Sequence, residues 1–304
     1  MTLSQQRVWR ANGLLLLAAV IWGFAFVAQR VGMEYVGPFT FNSARFALGG
    51  LALLPLLATQ RRQRAEPLPW RVLAPGGVLA GAVLFAGASC QQLGIVTTTA
   101  GKAGFITGLY VVLVPILGLA RGQRTGLGAW LGAGLAVIGL YLLTLPAGSA
   151  AFRLTAMTPG DLWVLLGACF WAIHVHLLAW LSRRVDPLPI AVLQFMVTAL
   201  LSGIAAALFE TPTLAGLREA QWAILYGGLL SVGIGYTLQV VAQRDAHPTD
   251  AAIILSLEAV FAVIGGVALL DETFTARGLA GCALMLAGML VSQLVTPAAR
   301  APQS

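Results

Sequence analysis

Charge is what this sequence has least of. Asp, Glu, Lys and Arg together make up 10% of its 304 residues, while 59% are hydrophobic. Soluble domains carry about 25% charged and about 45–50% apolar residues, so too little polar sequence remains here to cover a water-exposed surface. Cysteine is also sparse. Cys90, Cys169 and Cys282 form an odd, scattered set, each in an apolar run, which excludes a disulfide framework or a cysteine metal site and leaves small-hydrophobe packing. A Walker sequence, HExxH, Gly-x-Gly-Asp and Gly-x-Ser-Gly are all missing, so no nucleotide site or metalloprotease helix announces itself. No cofactor and no metal are expected. These absences describe an integral membrane protein.

Long apolar runs supply the positive case. A spanning helix needs about 20 mostly apolar residues, and candidates lie near 12–30, 39–58, 72–95, 103–120, 126–145, 161–181, 189–208, 221–242, 250–269 and 278–295. Barrel strands would alternate apolar and polar residues, and these runs do not, so the expected fold is all-α with ten transmembrane helices. Arg7 and Arg10 before Leu14–Ala28 could pass for a signal peptide, but no small-residue cleavage pattern follows, and the segment is read as a true span.

The net charge of +7 would suit a nucleic-acid partner only if the basic residues clustered. Instead they occupy short gaps between apolar runs. With a cytoplasmic N-terminus, the inner gaps and tails hold Arg7, Arg10, Arg61, Arg62, Arg64, Arg71, Arg121, Arg124, Arg183, Arg184, Arg244 and Arg300. The outer gaps hold Arg30, Lys102, Arg153, Arg218 and Arg277, and Arg45 falls inside a span. The excess of inner positive charge predicts that both termini are cytoplasmic in a cell membrane. The expected partners are the lipid bilayer and a small molecule, with no nucleic acid.

The chain also repeats itself. A shift of 149 residues carries Trp22 onto Trp171, Pro38 onto Pro187, Gly132 onto Gly281 and Gly139 onto Gly288. A shift of 148 carries Gln91 onto Gln239 and Ala103 onto Ala251. Two copies over 12–145 and 161–295 follow, each with five spans. Five is odd, so the second copy must enter the membrane from the opposite side. Inverted repeats of this kind mark secondary transporters that work by alternating access.

Ten spans in two halves, the early Trp22 and Trp171, the run Ala251–Glu258 and the pair Asp271-Glu272 after the ninth span resemble the drug/metabolite transporter superfamily, specifically its EamA family. In the first half Gly122-Gln123 stands where that pattern places an acidic hairpin. The resemblance implies the ten-span fold, the transport class and a central cavity lined by spans one, three, four, six, eight and nine; it says almost nothing about substrate.

Polar groups inside spans cost on the order of 2.5–3.5 kcal/mol or more when ionisable, so each calls for a reason. Glu258 lies eight residues into the ninth run, and reads either as a hydrogen-bonded structural carboxyl or as a proton- or substrate-binding one. Its repeat mate is Tyr110. In the sixth span His174 shares the face of Trp171, while His176 stands about 200° away and reads as packed. Tyr236, Gln239 and Gln243 form a polar stripe on the eighth span, with Gln91 facing it from the third. Thr107 and Tyr110 form a weaker stripe on the fourth, and Gln29 shares the face of Trp22 on the first. Each stripe is either interhelical hydrogen bonding or a substrate-facing wall. Glu258 and His174 are the candidates for proton coupling.

Arg45 reads as snorkelling or structurally paired, and Lys102 as an interfacial anchor. Small-residue spacings such as Gly77 with Gly81 and Gly288 with Ser292 allow close helix packing, within one monomer or across a homodimer. The leading function is export of a small, amino acid-like metabolite, ion-coupled or passive. The alternatives are a membrane-embedded enzyme acting on lipid or peptide, and an assembly or sensing protein without transport.

Overall fold

In the computed structural model, residues 3–62, 68–119, 126–144, 157–242, 251 and 254–294 are described, and no strand occurs among them. The chain runs α1 (Leu3–Gly32), α2 (Pro38–Arg62), α3 (Trp70–Ile95), α4 (Ala100–Gly108), α5 (Tyr110–Leu119), α6 (Leu127–Thr144), α7 (Pro159–Leu181) and α8 (Pro187–Phe209). After these come α9 (Leu214–Glu219), α10 (Gln221–Leu225), a π-helical stretch Tyr226–Gly235, α11 (Tyr236–Ala242), α12 (Glu258–Leu270) and α13 (Ala276–Leu294). Starts are set by local chemistry. Pro38, Pro159 and Pro187 each open a helix, where a missing N–H costs nothing. Thr158 and Asp161 close a reciprocal capping box on α7.

Seven segments among the described residues are long and apolar enough to span a bilayer: Gln6–Gly32, Pro38–Arg62, Trp70–Ile95, Ala100–Leu119, Leu127–Thr144, Pro159–Leu181 and Pro187–Phe209. Ile254–Leu270 and Ala276–Ser292 are shorter apolar helices. Three of the apolar runs differ from the unbroken helices expected of them. In the fourth, the Leu109 N–H turns back to the Ile106 carbonyl (3.2 Å), and the Leu113 N–H reaches the Leu109 carbonyl (3.0 Å). The ninth repeats this at a spacing of 148: Leu257 N–H to Ile254 O (3.1 Å) and Phe261 N–H to Leu257 O (3.0 Å). Both helices therefore tighten by one turn just before Tyr110 and Glu258. The eighth widens instead, into the π stretch rich in glycine (Gly227, Gly228, Gly233, Gly235), residues that lose least side-chain packing when a helix loosens.

Helix neighbours pair across the two halves of the chain. α6 packs on α13, α3 on α7 and α8, α2 on α8 and the π stretch, α1 on α12 and α11, and α4 on α12 and α7. The α6–α13 contact is backbone against backbone. A Cβ on Gly132 would lie 2.5 Å from the Gly288 carbonyl, and one on Gly139 would lie 2.6 Å from that of Gly281. Position 132 meets 288 while 139 meets 281, so the two helices run antiparallel. These glycines thus serve packing inside one chain. The outward faces are apolar: Leu200, Ile204 and Leu208 on α8 are all exposed, four residues apart, as a lipid-facing stripe requires.

Two carboxylates tie the halves at helix N-termini, where unpaired N–H groups and the helix dipole favour negative charge. Glu210, at the end of α8, accepts from the Phe39 N–H (2.7 Å), the Thr40 N–H (2.8 Å) and the Thr40 hydroxyl (2.6 Å) at the start of α2. Glu272 accepts from the Ala100 and Gly101 N–H groups that open α4. Hydrogen bonds to charged groups contribute about 1.5–3 kcal/mol. Glu210→Ala is therefore expected to cost about 2 kcal/mol, read as earlier thermal unfolding in detergent; an unchanged transition would show that these bonds are idle. Lys102 pairs within the protein: its Nζ lies 3.7 Å from Asp161 Oδ2, a fully buried carboxylate that also accepts from the Thr98 hydroxyl and the Thr158 N–H.

Candidate functional site

A cavity of about 230 Å3 lies where α1–α5, α7, α8, the π stretch, α11 and α12 converge. That is below the usual range of about 300–1,000 Å3 for sites that hold drug-sized ligands. The space suits a small solute.

Trp22, Gln29, Gln91, Thr107, Tyr110, Trp171, His174, Tyr236, Gln239 and Glu258 all line this cavity. Gln243, the eleventh candidate, lies outside the described residues. Gln91 on α3 is the hub. Its Oε1 accepts from Trp171 Nε1 (3.0 Å) and from the Thr107 hydroxyl (3.4 Å), and its Nε2 donates to Gln29 Oε1 (2.8 Å). Gln29 in turn donates to the Ala25 carbonyl (3.1 Å). Gln91 lines the same cavity as Tyr236 and Gln239, and its own hydrogen bonds form a chain linking α1, α3, α4 and α7.

Trp22 is held differently from Trp171. Its Nε1 donates to the Ser231 carbonyl in the π stretch at 3.0 Å, and Gly235 sits so close that a Cβ there would be 2.6 Å from that nitrogen. His174 Nε2 pairs with Gln194 Oε1 (2.8 Å), and its ring meets the Trp171 ring edge-on with centroids 5.9 Å apart. His176 points elsewhere: its Nε2 is 2.8 Å from the Val114 carbonyl, tying α7 to α5. Tyr236 packs edge-on against Phe195 with centroids 5.4 Å apart.

Two charged-type side chains stand out because neighbours do not satisfy them. Glu258 is buried in the cavity wall, and no hydrogen bond or ion pair joins its carboxyl to a described residue. Arg45 lines the same cavity, only 4% exposed. This corrects the snorkelling expectation. The helix stripe it shares with Phe41 lies against the glycines of the π stretch, so the side chain has an inward route and takes it. Its guanidinium lies 4.7 Å from the Phe46 centroid and 5.7 Å from that of Phe41. Arg45 Nε donates to Asn42 Oδ1 (3.0 Å), and Asn42 Nδ2 is itself fixed on the Ala88 carbonyl (3.1 Å). Arg45, Asn42, Gln194 and Ser231 were absent from the sequence candidates. The polar residues at 42 and 45, one helical turn apart inside an apolar run, were the available signal.

Among the described residues no three His, Cys, Asp or Glu side chains gather as metal ligands. Cys90 and Cys282 are buried free thiols, Cys282 within the cluster that holds Met285 and Met289.

Comparison with known proteins gives a consistent picture. The model of the EamA-like transporter family matches residues 9–145 and again 158–293. A protein of Archaeoglobus fulgidus named "uncharacterized transporter" is 30% identical over 292 residues, covering 92% of this chain and 84% of its own. The transporter YoaV of Bacillus subtilis is 22% identical, over 91% of this chain and 94% of its own. One crystal structure superposes with a TM-score of 0.64 at 20% identity, over 92% of this chain and 95% of that one, which is a likeness of fold.

Proposed function

The chain belongs to the EamA-like transporter family, and we propose that it is a secondary transporter exporting a small, amino acid-like metabolite by alternating access through the cavity described above. Family and relatives make it a multi-pass membrane transporter, with a small-molecule substrate and a bilayer as solvent. The finer reading is ten spans in two inverted repeats, 12–145 and 161–295, with both termini in the cytoplasm of a cell inner membrane. The charge count along the loops supports that orientation.

The carrying observation is the cavity itself. Its wall takes Trp22, Gln29, Gln91 and Tyr110 from the first half and Trp171, His174, Tyr236 and Glu258 from the second. Local geometry supports the repeat. The tightened turns at Leu109 and Leu257 share one hydrogen-bond pattern 148 residues apart. The glycine contacts 132 with 288 and 139 with 281 exchange into one another when the halves are exchanged. So do the helix pairs: α3 on α7 corresponds to α11 on α1, and α4 on α7 to α12 on α1. Interrupted helices beside a seam between inverted repeats are where transporters of this architecture hold solutes.

Glu258 and His174 are the groups through which proton movement would couple to the solute, since both reach the cavity. The test is reconstitution. Vesicles carrying the purified chain, loaded with a deproteinised small-molecule extract of the producing cells, are expected to lose a few solutes faster than protein-free vesicles, without ATP. Efflux against uptake in the same vesicles reads direction. Retention of every solute would overturn transport.

A further inference from the structure

From Arg45 we infer the group by which the solute is held: the cavity binds the carboxylate of a small solute on the Nη1 and Nη2 edge of this guanidinium. The inference rests on the transport reading and sharpens it.

Inside a membrane protein a buried cation is costly, and it is normally paired with a carboxylate or with carbonyls. Arg45 is not. It is 4% exposed, its Nε is satisfied by Asn42, and no bond runs from Nη1 or Nη2 to any described residue. Those two nitrogens are also not among the sealed, unsatisfied atoms of the interior, and Arg45 lines the cavity. Glu258, the other charged-type group in the wall, lies beyond ion-pair distance. The protein thus holds a cation and a carboxyl in one small chamber without letting them neutralise each other.

The surroundings aim the fork. The guanidinium lies over the Phe46 and Phe41 rings, contacts that use no N–H donor and leave the fork free for hydrogen bonding. The chain Arg45–Asn42–Ala88 fixes the Nε side and with it the direction of the two terminal nitrogens. Gly227 makes room, since a Cβ there would sit 3.3 Å from Arg45 Cδ. A planar fork matches a carboxylate in two parallel hydrogen bonds. Phosphate fits less well: its charge of about −1.5 to −2 would exceed the one cation available and would face the carboxyl of Glu258 in a chamber of only about 230 Å3. The repeat mate of Arg45 is Gln194, whose carbonyl oxygen is engaged by His174. A guanidinium therefore enters the cavity from one half only, which gives the solute a preferred orientation.

The experiment uses the vesicles loaded with cell extract, with the escaping solutes sorted by charged group. For the native chain, those solutes are expected to carry a carboxylate. Arg45→Gln should slow their efflux by at least about tenfold, because a desolvated charge partner is lost, and Arg45→Lys should fall between, keeping the charge without the fork. Thermal unfolding of the variants separates loss of binding from loss of fold. If Arg45→Gln does not fold, the sorting of native efflux decides alone. Efflux confined to solutes that carry no carboxylate would overturn the carboxylate assignment and leave transport standing, as would undiminished efflux through a folded Arg45→Gln chain. No efflux of any kind would overturn transport itself, and the assignment with it.

Discussion

Glu258→Gln should abolish accumulation driven by a pH gradient and slow net flux by at least about tenfold, the scale expected when a buried charged partner is removed. The substitution keeps shape and removes only the ability to carry a proton or a negative charge. Glu258 has no described hydrogen-bond or ion-pair partner to strand when it changes, so the folded chain should survive with little loss of stability. It stands directly after the tightened turn at Leu257, where helix α12 begins. Counterflow of solute between equal concentrations should persist, because that exchange needs no net proton movement. Flux measured with and without a pH difference across the vesicle separates the two. Equal accumulation by the native and Glu258→Gln chains at every pH would remove this carboxyl from the mechanism.

Gly139→Leu should be the most damaging structural change. A Cβ at 139 would meet the Gly281 carbonyl at 2.6 Å and the Met285 backbone nitrogen at 2.7 Å. Neither neighbour is a flexible side-chain tip, so α13 must move as a body. Overpacking typically costs about 1–3 kcal/mol, occasionally more, and a leucine here pushes on backbone along the whole seam. The expected reading is loss of most monodisperse protein after detergent extraction. Gly134 lies on the same helix, and a Cβ there would meet nothing within 4 Å, so Gly134→Leu should extract normally. Equal yields for the two would show that α6 and α13 do not depend on close approach.

Much of the cavity was legible because a polar side chain in an apolar run has few reasons to be there. Trp22, Gln29, Gln91 and His174 were found by that rule together with helical spacing, and all four reach one chamber. For Arg45 the same rule left snorkelling or structural pairing open, and its burial excludes the first. Its distance from a span end allowed snorkelling, and only the packing of Phe41, Phe46 and Gly227 shows that it turns inward. Glu210 escaped notice, and Glu272 was seen only as part of an acidic pair, for a different reason. Their partners lie about 170 residues away, and no local pattern announces a carboxylate that caps a helix in the other half. The π stretch was equally hidden, since glycines spaced for helix contact also permit a wider turn.

The bonded wall around Gln91 bears on the entropy of loading. Trp171, Thr107 and Gln29 are already held by that one amide, and Trp22 by the Ser231 carbonyl. Ordering a free side chain costs about 0.5–1.5 kcal/mol, and these four have met that cost before any solute arrives. Discrimination among solutes is then concentrated in the few groups still able to choose a partner, and a molecule wrong at those points gains nothing from the rest of the wall yielding to it.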